Sequence, residues 1–255
     1  MSRKARTTLA ILGVFAFLGV AGFIAGIAVM AFGDETARGW PDISVLADEV
    51  VVYKDTPVRP LHLHIFEPAD GADQSVPAVL FFHGGGFAEA RLHQFQHQAE
   101  TVAEVGMAGV VVEYRVTAEG TTRADAIADG RDALAYVQQN ADQLGIDADR
   151  VAMAGSSAGG ALAIEAGGSG NAFVLFNPAV NASSASFVDG QPTLVFHSRA
   201  DTIVPFSSAE GFCDGVVTCE LVAFDEGDHG FFNFEPELSE TTEAMIGMLQ
   251  DSFDE

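Results

Sequence analysis

Two short stretches of this 255-residue chain have the residue types and spacing for nucleophilic chemistry. Gly155-Ser156-Ser157-Ala158-Gly159, with Gly160 next, has the form G-x-S-x-G. Small residues around a serine allow a tight strand-to-helix turn that holds the hydroxyl out at the edge of a sheet. The N–H of Ala158, at the start of the following helix, is then placed to face a developing negative oxygen. His83-Gly84-Gly85-Gly86-Phe87 follows an apolar run, and its glycines leave backbone N–H groups unobstructed. We read Gly85 and Gly86 as further donors to the same oxygen.

A serine nucleophile needs a base, and the base needs an orienting acid. Both occur downstream in the order Ser, Asp, His. Asp201 lies in His197-Ser-Arg-Ala-Asp201-Thr-Ile-Val-Pro205, and His229 in Glu226-Gly-Asp-His229-Gly-Phe231. His229 would take the serine proton while Asp201 holds its ring and stabilises its charged form. Asp225 and Asp228 are rival acids, but so close in sequence to His229 that reaching the far ring nitrogen is harder.

The other histidines are weighed as metal ligands. His62 and His64 alternate on a strand and are read as a solvated face. His93 and His97 are four apart on a helix but lack an H-E-x-x-H pattern, so they are read as surface residues. His83 is expected to order the glycine loop and His197 to be structural. The proposed chemistry needs no metal or organic cofactor.

These residues require elements that bring them to one place. Asp48–Tyr53 and Leu61–Phe66 read as early strands, the second alternating as a half-exposed strand does. Val76–Phe82 and Gly109–Tyr114 are continuous apolar runs, as in strands buried on both faces. A helix is expected over about 92–105, and the longest one over Arg123–Leu144. Arg150–Gly155, Ala172–Phe176, Thr193–Phe196 and Glu220–Phe224 supply later strands, and a last helix covers about Glu240–Phe253. This alternation predicts an α/β fold: a mostly parallel sheet with helices on both faces. Parallel strands put the serine, acid and histidine loops on one sheet edge.

With 48% hydrophobic and 19% charged residues, the composition is that of a globular chain. The first 33 residues read as a transmembrane anchor or a signal segment: Leu9–Phe32 is 24 residues without a charge, preceded by Arg3, Lys4 and Arg6. The basic flank stays cytoplasmic, so residues 40–255, read as one catalytic domain, are extracytoplasmic, either anchored in the membrane by one helix or secreted after cleavage. The net charge is −24, and Lys54 is the one lysine beyond the apolar segment. No basic patch is left to neutralise phosphates, which excludes nucleic acid as a partner. An acidic, lysine-poor surface fits a saline habitat or an ordinary exported protein. Cys213 and Cys219 would bridge in an oxidising compartment, with two reduced, buried thiols as the alternative.

Assembled, the motifs resemble those of the hormone-sensitive-lipase-like carboxylesterases and the smaller bacterial α/β-hydrolases related to acetyl-esterases and feruloyl esterases. The resemblance runs from about Val50 to Phe232. It rests on His83–Phe87, Glu113-Tyr-Arg115, Asp129 to Gly160, Asp201–Pro205 and His229-Gly-Phe231. It implies an α/β-hydrolase fold and a serine esterase using Ser157, Asp201 and His229. Three departures stand out. The family often has an acidic residue where this chain has Ser156. Val116-Thr-Ala-Glu119 replaces a Leu-Ala-Pro-Glu-like segment. Only about 16 residues separate Phe176 from Thr193, too few for the cap of larger relatives. A minimal cap leaves the site open, which favours short or polymer-borne acyl esters as substrates. A serine peptidase or amidase of the same fold, and a non-catalytic hydrolase-like binding module, are the competing readings.

Overall fold

The apolar runs assemble into a single sheet whose strand ends converge on the candidate residues. The computed structural model describes residues 42–68, 75–168, 170–188 and 190–254. The segment read as an anchor or signal, residues 1–33, lies outside them. Among the described residues no helix is long and apolar enough to cross a membrane.

The eight strands are β1 (Glu49–Lys54), β2 (Leu61–Phe66), β3 (Val76–Phe82), β4 (Ala108–Val112), β5 (Ile146–Ser156), β6 (Phe173–Phe176), β7 (Thr193–Ser198) and β8 (Cys219–Phe224). Their order across the sheet is β1-β2-β4-β3-β5-β6-β7-β8. β2 runs antiparallel to β1 and β4, and every other pairing is parallel. Leu61–Phe66 is therefore not the half-exposed strand its alternation suggests. It lies between two neighbours with both faces covered, and only His62 in it is partly exposed.

Strand geometry sends alternate side chains to opposite faces, and the core divides accordingly. Leu80, Phe82, Val110 and Val112 pack on one face with Ala133, Leu134 and Val137 of helix α3 (Arg123–Gln139), Leu162 of α5 (Ala158–Ala166) and Phe212 of α6 (Phe206–Cys213). Val79, Phe81 and Val111 pack on the other with Ala99 and Val102 of α2 (Gln96–Glu104) and Met245 and Leu249 of α7 (Glu237–Asp254). Burying each of these larger side chains contributes about 1.5–3 kcal/mol, so the sheet is a stiff platform for the loops at its edge.

Two short helices complete the set, α1 (Ile43–Leu46) and α4 (Ala141–Leu144). α3 and α4 divide the single helix expected over Arg123–Leu144. The break falls at Asn140, whose backbone leaves the helical region (φ −112°, ψ 18°) and whose side-chain amide donates to the Tyr136 carbonyl at 2.8 Å. The start of α3 follows local chemistry: Thr122 accepts from the Asp125 N–H, and Asp125 accepts from the Thr122 N–H in return. The helix expected over 92–105 opens as a 3-10 turn, Leu92–Phe95, before α2 begins.

Between β6 and β7 the place of a cap is held by one 3-10 turn, Ala182–Phe187, whose Ala185 packs against the core. Cys213 and Cys219 form a disulfide (Cα–Cα 5.2 Å) that ties the end of α6 to the first residue of β8.

Candidate active site

β3, β5, β6, β7 and β8 run in parallel, so the loops after them share one edge of the sheet. Ser157 follows β5 directly and precedes α5. Its backbone is held at φ 50° and ψ −119°, a conformation that costs a non-glycine residue about 1–3 kcal/mol. Two backbone bonds hold the turn: Ser157 N–H donates to the Phe176 carbonyl at 3.0 Å, and Ala179 N–H donates to the Ser157 carbonyl at 2.8 Å.

The glycines of this turn are there for space. A Cβ on Gly159 would stand 2.1 Å from the Phe82 carbonyl oxygen and 2.3 Å from that of His83. Both are backbone atoms at the end of β3, so they cannot swing aside. Gly159→Ala should cost about 2 kcal/mol or more through overpacking. Thermal unfolding would show it, and an unchanged melting temperature would contradict the steric argument.

Asp201 and His229 meet across the ends of β7 and β8. His229 Nδ1 lies 2.6 Å from Asp201 Oδ2, while Asp201 Oδ1 accepts the N–H groups of Ile203 (2.7 Å) and Val204 (3.0 Å). Burial alone would raise the Asp201 carboxyl. The hydrogen bond from His229, its charge and the two backbone N–H groups outweigh that and hold it below the usual carboxylate range. The rival acids do not compete: Asp225 is exposed and faces Arg199, and Asp228 accepts the Gly230 N–H.

The glycine loop lies against the serine turn. A Cβ on Gly84 would sit 3.4 Å from the Ser157 Cβ and 2.9 Å from the Ser156 Oγ. Gly85 and Gly86 have positive φ (106° and 63°), a conformation natural to glycine. His83 is fully buried, with Nδ1 2.6 Å from the Gly84 carbonyl and its ring stacked on Tyr114. Burial pushes its pKa down to about 4, so at neutral pH it is an uncharged prop for the loop.

Comparison with known proteins finds esterases. The BD-FAE family model matches residues 63–182. Esterase LipI of Mycobacterium tuberculosis is 38% identical over 112 residues, 43% of this chain and 34% of that protein. Ethyl acetate hydrolase of Pseudomonas putida is 31% identical over 121 residues, 46% of this chain and 37% of that protein. The matched stretches thus span little more than a third of these curated relatives. A solved structure covers more: esterase 2 of Thermogutta terrifontis has a TM-score of 0.74 and 30% identity over 80% of this chain and 94% of its own.

The chain belongs to the α/β-hydrolase carboxylesterases.

The same Thermogutta esterase with propionate bound has a TM-score of 0.76 and 29% identity, covering 83% of this chain and 96% of that one.

Ser157, Asp201, His229, the Gly85-Gly86 loop and Ala158 all fall at one sheet edge. His62 and His64 do not form a solvated face. His64 is buried, and its Nε2 lies 3.0 Å from Glu113 Oε1, with His62 Nδ1 3.3 Å from Oε2. Arg59 pairs with the same carboxylate. Burial would raise the Glu113 carboxyl, but the bonds from His64 and His62 and the Arg59 charge bring it down to about 2. Among the described residues no cluster of His, Cys, Asp or Glu could hold a metal ion. His97 is exposed, as expected; His197 is buried, its Nε2 donating to the Val204 carbonyl at 2.9 Å and lying 3.5 Å from Asp201 Oδ2.

Sequence reasoning overlooked Asn177 and Gln94. Asn177 follows β6 with φ 40°, its Nδ2 donating to the His229 carbonyl (2.8 Å) and its Oδ1 accepting the Ser198 N–H (3.0 Å). An asparagine directly after a buried apolar run, a residue type that tolerates positive φ, is the signal that could have marked it. Gln94 Oε1 accepts the Gly84 N–H at 2.6 Å and the Ser156 hydroxyl at 2.9 Å.

Proposed function

We propose that the protein hydrolyses short-chain acyl esters, acetyl esters of sugars or polysaccharides among them, through an acyl-enzyme on Ser157. The observation that carries this is the buried 2.6 Å contact between His229 and Asp201, on the sheet edge where Ser157 heads α5.

In this mechanism the Ser157 Oγ attacks the acyl carbon as His229 takes its proton. Asp201 keeps the proton of His229 on Nδ1, so that Nε2 is the basic nitrogen. The oxygen that gains charge is met by the N–H groups of Gly85, Gly86 and Ala158, the last free of an intrahelical partner because it opens α5. The alcohol leaves with the proton held by His229. Water, activated by the same histidine, then cleaves the acyl-serine bond.

The preference for short acyl groups is supported by the single 3-10 turn that stands in for a cap, and by relatives whose names carry ethyl acetate and propionate. The disulfide supports an extracytoplasmic location, with residues 1–33 anchoring or exporting the domain.

The test is the full-length protein against p-nitrophenyl esters from acetyl to palmitoyl, with Ser157→Ala as the blank. We expect kcat/KM to be highest for acetyl to butyryl and lower by about tenfold or more beyond octanoyl, the scale of a few methylenes that find no pocket. Equal rates across the series would remove the short-chain reading. Inactivity on all of them would remove the esterase reading and turn the search to amides.

A further inference from the structure

We propose that Gln94 is a positioning residue that locks the oxyanion loop onto the nucleophile turn; this rests on the ester-hydrolase reading above. Three segments far apart in the chain meet at its side chain. Oε1 accepts the N–H of Gly84, which opens the glycine run, and the hydroxyl of Ser156, which precedes the nucleophile. The backbone N–H of Gly84 can only donate, so the amide orientation of Gln94 follows from its partner. A Cβ on Gly84 would stand 3.3 Å from this Oε1 and 2.9 Å from the Ser156 Oγ, so the three groups are in direct contact.

The carrier of Gln94 is rigid. Its N–H donates to the Arg91 carbonyl at 3.0 Å, closing the 3-10 turn, and the next residue is Phe95. That ring is buried and stands 5.3 Å from Phe81, 5.4 Å from Phe176 and 5.7 Å from Phe232. The acceptor is thus fixed to the core by its own neighbour, and the loop and the turn are both referred to it.

The consequence for catalysis follows from donor bookkeeping. An oxyanion needs donors, and Gln94 presents an acceptor, so this atom cannot bind the reacting oxygen. It engages the Gly84 N–H, which removes that group from oxyanion binding and leaves the donors of Gly85 and Gly86. The carbonyl ends of Gly84 and Gly85 are held as well. The Gly84 carbonyl faces His83 Nδ1 (2.6 Å), the Tyr114 hydroxyl donates to the neighbouring His83 carbonyl (2.7 Å), and the Gly85 carbonyl accepts the N–H groups of Ala88 (2.9 Å) and Glu89 (3.2 Å). With Gly84 pinned at N and O, the direction of the next N–H is set before substrate arrives, which is the preorganisation that an oxyanion hole depends on.

Gln94→Met keeps the side-chain length and removes the acceptor. We expect kcat on p-nitrophenyl butyrate to fall about 10–100-fold with KM changed less than about threefold, the scale of a misplaced or lost oxyanion donor. The Ki of an alkylboronic acid, whose serine adduct puts an oxygen in the oxyanion position, should rise in parallel. Ser156→Ala should lower kcat several-fold in the wild-type background and hardly at all in Gln94→Met, because both changes break the same network. An active wild-type enzyme whose Gln94→Met variant keeps kcat within twofold overturns the assignment. So does a fall in kcat with unchanged boronic acid affinity, or strict additivity with Ser156→Ala. A wild-type protein inactive on every ester overturns the esterase reading itself, and this assignment with it.

Discussion

Asp201→Asn is expected to lower kcat for ester hydrolysis by about 10⁴-fold while leaving the melting temperature nearly unchanged. The two oxygens of Asp201 do different work. Oδ1 accepts the Ile203 and Val204 N–H groups and so holds the loop after β7, whereas Oδ2 faces His229 Nδ1 at 2.6 Å. Asparagine can leave its oxygen with the two backbone donors, because turning it over would set an NH₂ against two N–H groups. Its NH₂ then faces His229, which must answer with an unprotonated Nδ1. The ring proton moves to Nε2, and the nitrogen expected to take the serine proton is already occupied. Steady-state kinetics beside a thermal melt would show the loss without unfolding. Asp201→Ala makes the contrast: it also strands the two backbone donors, so its activity loss should come with a lower melting temperature. If Asp201→Asn kept more than about a tenth of wild-type kcat, another acid would have to orient His229.

That pair was legible in the sequence because parallel strands make chain order and place in space correspond. An acid just beyond one buried run and a histidine just beyond the next must emerge on the edge that carries Ser157. The glycine motifs were legible for a related reason: Gly159 and Gly84 occupy places where backbone or another turn leaves no room for a Cβ. What stayed hidden depended on pairings that periodicity does not encode. Leu61–Phe66 alternates as a surface strand does, yet the partner of its histidines is Glu113, which lies just beyond β4 some fifty positions away. Gln94 sits in a polar stretch that reads as the exposed start of a helix, and only the Gly84 and Ser156 contacts give its amide a purpose. Asn140 interrupts a helix whose apolar spacing continues past it, so the break is a matter of local backbone conformation rather than pattern. The contact between motifs at strand ends was found; polar contacts made outside those motifs were not.

The largest effect on stability should come from one such contact. Asp129, on α3, has a fully buried carboxylate. Its Oδ2 accepts Arg115 Nε (2.8 Å) and the Arg115 backbone N–H (3.0 Å), and its Oδ1 accepts Arg115 Nη2 (2.8 Å) and Lys54 Nζ (2.6 Å). It thereby joins the end of β1 and the segment after β4 to the helix that covers them. Asp129→Ala leaves Arg115, itself largely buried, without the carboxylate that matches its two-pronged head. Breaking a buried pair by removing one partner costs about 3–5 kcal/mol. Asp125 and Asp132 remain near the stranded cations, as further partners of Arg115 and Lys54, which places the expected loss at the lower end, about 3 kcal/mol. The Asp147–Arg150 pair supplies the comparison, because it is also a short carboxylate–guanidinium contact (2.7 Å) but lies at the surface, between residues near the start of β5. Asp147→Ala should cost less than about 1 kcal/mol. Urea unfolding of both variants beside the wild type measures the difference directly. If the two losses were equal, burial would not be what gives the Asp129 junction its strength, and the coupling of β1 and β4 to α3 would have to rest on the apolar contacts of Ala133, Leu134 and Val137 alone.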